Sequence, residues 1–142
     1  MKGVLRLLAD DLTGACDVAA ELLPWPGGLV VVSRAGPPGR APAPTAGEAT
    51  PVRNTQSRTL APADAAACVR AALADVPPGW RGLLFKKIDT GLRGALGAEL
   101  DAAMEALAID EAIVAPAIPE VGRTTEAGVQ LSGGVPVDRT PF

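Results

Sequence analysis

Apolar residues along this chain fall into short runs that alternate between two periods. Residues 3–9, Gly-Val-Leu-Arg-Leu-Leu-Ala, are nearly continuously apolar, the pattern of a buried strand. Over 14–23 the apolar positions Ala15, Val18, Ala19, Leu22 and Leu23 recur at helical spacing, and Pro24 and Pro26 end the predicted helix. Leu29–Ser33 is a second, Val-rich strand. Residues 36–51, rich in Pro, Gly and Ala, read as a mobile connection. Pro51–Thr55 reads as a short strand. The spacing over 62–74 predicts a helix with Ala65, Cys68, Val69, Ala72 and Leu73 on one face and Pro62 near its start. Gly82–Ile88 is a strand, 94–107 a helix with Leu96, Leu100, Ala103, Met104 and Leu107 inward, and Ala112–Ala115 a last strand. Gly128, Gly133–Gly134 and Pro136 then mark a loop or a β-hairpin.

Strands that alternate with helices in near-continuous apolar runs predict an α/β, Rossmann-like fold: a mostly parallel sheet with helices on both faces. Ligands of such sheets bind beyond the carboxyl ends of the strands, and the polar residues cluster there. Asp10 and Asp11 follow the first strand; Asn54, Ser57 and Arg58 the third; Lys86, Lys87, Asp89 and Thr90 the fourth, with Arg93 just beyond; Glu120, Arg123 and Thr124 the last. Four loops are thus expected to converge on one rim.

Composition narrows the chemistry. The 142 residues are 48% hydrophobic, enough for a core, and only 3% aromatic, so Ala, Leu, Val and Ile must build it. There is no His, which removes His general acid–base catalysis, His metal ligation and Ser-His-Asp triads. A net charge of −3 argues against a broad nucleic-acid surface. No apolar stretch reaches the roughly 20 residues of a membrane span, and the N-terminal run ends in two acids rather than in a signal-peptide pattern. Cys16 and Cys68, both in predicted helices, read as small buried residues of a reducing cytoplasm.

A rim that mixes carboxylates with Lys and Arg suits neither a purely anionic ligand nor a bare divalent metal. It suits a ligand carrying hydroxyls and an acid group. Asp accepts hydrogen bonds from hydroxyls, and Arg grips a carboxylate or phosphate with two parallel bonds. The helix start at Gly14 adds free N–H groups. An Asp beside a reacting hydroxyl can also take its proton, as in many phosphoryl transfers. An acidic sugar, with or without phosphoryl transfer, is the natural ligand. Plainer readings stand beside these. Asp10 and Asp11 are also ordinary helix-start acids with Thr13 as N-cap; Lys86 and Lys87 a solvated strand end; Arg93 a loop partner of Asp89; Gly122-Arg123 a turn. Asp101, Glu105, Asp110 and Glu111 read as a solvated helix face and its exit.

The stretches LLADDLTGACDVA (7–19), NTQSR (54–58), KKIDTGLRGALGAEL (86–100) and APAIPEVGRTTEAGVQLSGGVPVDRTPF (115–142) together resemble the N-terminal domain of the four-carbon acid sugar kinases, the D-threonate, D-erythronate and 3-oxo-tetronate kinases. The resemblance implies an N-terminal domain that binds the sugar acid and a C-terminal domain that binds ATP, with Mg2+, phosphate passing across the cleft between them. It implies substrate contacts from Asp11, Arg58, Lys87, Ile88, Asp89 and Thr90. Asp10, Arg93 and Arg123 join them as rim residues. Arg58 is expected to hold the sugar-acid carboxylate, and Asp11 to hold a hydroxyl and help deprotonate it; no metal ligand is assigned. Thr90, Gly91 and Ala95 depart from the Ser, Thr and Asn usual at those places in the family.

The chain reads as a partial domain, a fragment, a truncated product or one part of a split enzyme, since no nucleotide domain and no G-x-x-x-x-G-K-[ST] motif lie within it. Its partners would be the sugar acid and a separate nucleotide-binding half. Alone it is expected to be inactive, and a binding-only domain is the alternative. A receiver domain would need an Asp after strand three, where Asn54-Thr55-Gln56-Ser57 stands. A haloacid-dehalogenase-type phosphatase would need Asp-x-Asp at strand one.

Overall fold

The computed structural model describes residues 5–22, 28–33 and 50–141. Four strands, β1 (Leu5–Ala9), β2 (Leu29–Ser33), β3 (Thr50–Asn54) and β4 (Leu83–Lys87), form one parallel sheet in the order β2-β3-β1-β4. Among the described residues three helices pack on it: α1 (Leu12–Glu21), α2 (Pro62–Leu73) and α3 (Leu96–Leu107). The fold is the expected α/β arrangement. Most of the 36–51 connection, Leu23 and the two prolines after α1 lie outside the described residues.

Strand alternation divides the core in two. Leu7, Ala9 and Val52 point to one face and pack with Ala15 and Val18 of α1. Leu8 points to the other, against Val69, Ala72 and Leu73 of α2 and Ala102 and Ala103 of α3. The connection after β1 therefore leaves over one face, and those after β3 and β4 leave over the other. The carboxyl end of β1 is thus where the connections switch faces, the usual place for a ligand in such sheets.

Four expectations need correction. Ala112–Ala115 joins no sheet among the described residues; Ile113 is 98% exposed. Its Ile-Val pair has strand propensity, yet pairing needs a partner edge and this segment takes none. Beyond it, β5 (Arg123–Glu126), β6 (Val129–Ser132) and β7 (Val135–Pro136) form a separate antiparallel sheet. Its turns, Ala127-Gly128 and Gly133-Gly134, have positive φ at both residues, as tight two-residue hairpin turns require.

In α3 the buried stripe is Glu99, Ala102 and Ala103. The larger side chains Leu96, Leu100, Met104 and Leu107 are only partly buried. They line an open groove of about 1120 Å3 between β4 and the 109–118 segment. Cys68 is buried as expected, but Cys16 is exposed, because α1 turns Gly14, Ala15 and Val18 to the sheet and position 16 away from it. Lastly, Lys86 does not reach the rim, for a reason of register given below.

Candidate functional site

The rim begins where β1 stops. Asp11, not Thr13, is the N-cap of α1: its backbone is extended (φ −140°, ψ 166°) and its Oδ1 accepts the Gly14 N–H at 2.8 Å. Gly14 leaves the space into which the Asp11 and Lys87 side chains reach. A Cβ there would stand 2.7 Å from Asp11 Oδ1 and 3.1 Å from Lys87 Cγ.

The loop after β3 folds over the end of β1. Thr55 N–H donates to Ala9 O (2.9 Å), and the Ser57 and Arg58 N–H groups both donate to Asp10 O (2.9 and 3.2 Å). This lays Arg58 across the acids. Its Nε and Nη2 donate to the two oxygens of Asp10 at 2.6 and 2.9 Å. Its Nη1 lies 3.0 Å from Asp11 Oδ2 and 3.4 Å from Asp89 Oδ1. The hydrogen bond to Asp10 and the charges of Asp10, Asp11 and Asp89 push the Arg58 pKa up against the opposing effect of burial.

Asp89 organises the loop after β4. It accepts from Arg93 Nε and Nη2, both at 2.8 Å, and from the Gly91 and Arg93 N–H groups. The Arg93 side-chain bond leads these effects in lowering the Asp89 pKa from 3.8 to about 2, against desolvation. The loop-partner reading of Arg93 is thus realised. Lys87 Nζ donates to Ile88 O at 2.7 Å, and among the described residues Lys87 forms no ion pair. Thr90 is half-buried, its carbonyl accepting from Gln130 Nε2 at 2.8 Å, which fastens the hairpin sheet to the rim loop. Arg123 opens β5, half-buried, with a backbone bridge to Ile118.

Register explains why neighbouring lysines part company. Lys87 is in register with Ala9 and so lies on the α1 face; Lys86 is in register with Leu8 and lies on the α2–α3 face. There Lys86 Nζ meets Glu99 Oε2 at 2.7 Å. Glu99 and Gln130 escaped the sequence reading. Glu99 sits three residues after Leu96 and four before Ala103, so a charge on the inward stripe was the available signal. Gln130, in a short hairpin strand, gave none.

The arrangement is a cluster of three carboxylates closed by Arg58. Asp10 and Asp89 are nearly covered, with side chains 3% and 9% exposed, whereas Asp11 is 29% exposed. Among the described residues no group of three or more His, Cys, Asp or Glu is placed to hold a metal. The 1120 Å3 groove touches this rim only at Lys87, Ile88 and Thr90 and is lined chiefly by apolar side chains. No helix among the described residues is long and apolar enough to cross a membrane.

A parallel sheet with an acid–cation cluster at its carboxyl end defines an α/β domain whose charged groups gather at the strand ends. The chain belongs to the sugar-binding N-terminal domain family, whose profile matches residues 5–142. It is 40% identical over 138 residues to a D-threonate kinase of Bordetella bronchiseptica, covering 96% of this chain and 34% of that protein. It is 41% identical over 91 residues to a D-erythronate kinase of Heliobacterium modesticaldum, covering 61% of this chain and 20% of that protein. The fold matches, at a TM-score of 0.72 and 39% identity, a crystal structure of a domain of unknown function (DUF1537) from Bordetella bronchiseptica, a domain-swapped dimer with bound citrate; the match covers 96% of this chain and 35% of that one. The chain thus spans about a third of the length of the D-threonate kinase it matches.

Proposed function

We propose that this chain binds a four-carbon sugar acid of the threonate, erythronate or 3-oxo-tetronate type, as the acceptor-binding part of an ATP-dependent sugar-acid kinase. One observation carries the reading: Asp10, Asp11, Arg58, Lys87, Asp89 and Arg93 meet at the ends of β1, β3 and β4, in a chain related to such kinases. The citrate held by the Bordetella domain is itself a hydroxy acid, which agrees with this ligand class.

Asp11, the most exposed of the three acids, receives a substrate hydroxyl. Each carboxylate oxygen has a second lone pair, so Asp11 can keep its helix cap while it does so. In a complete kinase it would also accept the proton of the hydroxyl being phosphorylated. Arg58 is already gripped by Asp10 and flanked by two more acids, so it orders the cluster and offers the ligand little more than an edge. The ligand carboxylate therefore falls to Lys87, whose ammonium, among the described residues, bonds to the Ile88 carbonyl and forms no ion pair. The reading also assigns Ile88, Thr90, Arg93 and Arg123 to the binding surface, Ile88 through the carbonyl that meets Lys87.

ATP and its Mg2+ belong, in this reading, to a nucleotide-binding part outside the 142 residues. The described residues do not fit either group: Arg58 neutralises the acid cluster, and the sequence holds no phosphate loop. The purified chain should accordingly bind sugar acid and phosphorylate none.

The test is a thermal-shift series with threonate, erythronate, tetronate and glycerate. A ligand at 100 times its Kd stabilises the folded state by about 2.7 kcal/mol, a readable shift. A folded chain that responds to none of the four refutes the assignment.

A further inference from the structure

We infer that Glu99 is the positioning residue that sets the rim from beneath, an inference that rests on the sugar-acid reading of that rim. Glu99 and Ser57 are 1% and 0% exposed. The Glu99 carboxylate accepts from Lys86 Nζ with one oxygen and from Ser57 Oγ with the other. Ser57 Oγ is 2.7 Å from Thr55 Oγ1, which donates to Ala9 O at 2.9 Å. With the Ser57 proton given to Glu99 and the Thr55 proton to Ala9 O, the two hydroxyls touch without a proton between them, and the 55–57 loop that carries both links the end of β1 to Glu99 of α3 and, through it, to Lys86 of β4.

The residues so linked are the immediate sequence neighbours of the rim. Ala9 precedes Asp10, Ser57 precedes Arg58, and Lys86 precedes Lys87. One peptide unit separates each anchored residue from the group it presents, so the lower tier dictates where the upper one stands. A helix stripe that only filled space would carry an apolar side chain at position 99. A buried charge pair adds little net stability over such a filling. What this carboxylate supplies instead is direction, a fixed acceptor for Ser57 and a fixed partner for Lys86.

The experiment separates positioning from packing. Glu99→Leu alone strands the Lys86 ammonium and risks unfolding, so it is made together with Lys86→Met. The double variant strands no charge at this position but removes the Ser57 acceptor. Amide hydrogen exchange of Ser57 and Arg58, both bonded to Asp10 O, is read as a ratio to the Leu7 and Leu8 amides of β1. Any change in global stability then cancels. The ratio should rise at least tenfold, and the Kd for D-threonate should rise at least tenfold. The conservative pair Lys86→Met with Glu99→Gln keeps an acceptor for Ser57 and should restore most of both.

Parent-like exchange ratios in the Met/Leu variant, or no rescue by Gln, overturn the inference. If the parent itself binds no D-threonate, the sugar-acid reading falls, while the exchange ratios still decide whether Glu99 positions the loop.

Discussion

Arg58 and Asp10 form a two-pronged ion pair, 2.6 and 2.9 Å, that ties the loop after β3 to the end of β1. Breaking it leaves a guanidinium largely enclosed without its main partner. Asp10→Ala should cost about 3 kcal/mol, the low end for a broken buried pair, because Asp11 and Asp89 remain. Arg58→Lys keeps the charge but loses the fork and should cost roughly 1.5–3 kcal/mol. Urea unfolding checks both. A loss confined to ligand affinity, with stability unchanged, would mean that Arg58 faces the ligand and not the acids.

Acid should weaken the loop after β4. The Asp89 pKa is depressed to about 2 in the folded chain. A lowered folded value means that the group stabilises the fold above its unfolded pKa near 3.8. That contribution is lost as pH falls from about 4 to 2. The size should be of order 1–2 kcal/mol at most, since Arg93 is half exposed and solvent screens the pair. Carboxyl NMR titration should place Asp89 near 2 in the parent and move it toward 3.8 in Arg93→Ala. An unmoved midpoint would assign the shift to something other than Arg93.

Much of this architecture was legible in the chain because local pattern and tertiary outcome agree. The Leu7–Leu8–Ala9 run with its acids, the α1 stripe and the Gly-marked hairpin each follow from a period or a turn requirement. Long-range pairing was not legible. Ala112–Ala115 has the composition of a strand, yet nothing local says whether an edge receives it. The separation of Lys86 from Lys87 was readable in principle, since strand neighbours face opposite ways. That Glu99 would answer Lys86 needs the α3–sheet packing, as does the capture of Arg58 by three carboxylates drawn from two strand ends.

Gly14→Ala should leave stability nearly unchanged while it harms the site. Alanine gains about 1 kcal/mol of helix propensity over glycine, and displacing the Asp11 cap costs about 0.5–2 kcal/mol. The two offset. The new methyl nevertheless pushes Asp11 and Lys87 apart, so affinity for D-threonate should fall while the melting temperature holds. Parent-like affinity would show that the two groups do not act on one ligand.

In the outermost strand β4, Leu83 (63%) and Phe85 (45%) stand exposed on the α1 face and line the open groove. Exposed apolar strand edges promote association. The isolated chain should self-associate with rising concentration, and Phe85→Lys should reduce this without lowering the melting temperature. Light scattering coupled to size-exclusion chromatography reads the outcome; a concentration-independent monomer for the parent would contradict it.

If the rim recognises a hydroxy acid through Lys87 and Asp11, as proposed, calorimetric titration will read it without intermediate steps. The parent chain is titrated with D-threonate and with the matching neutral polyol, threitol, and the series is repeated on Lys87→Gln. Expected are single-site binding of the acid, weaker binding of the polyol, and a tenfold or greater loss of acid affinity in the variant, about 1.4 kcal/mol or more, with polyol affinity unchanged. A folded parent that binds the polyol as well as the acid, or a Lys87→Gln chain that binds D-threonate as the parent does, would contradict it.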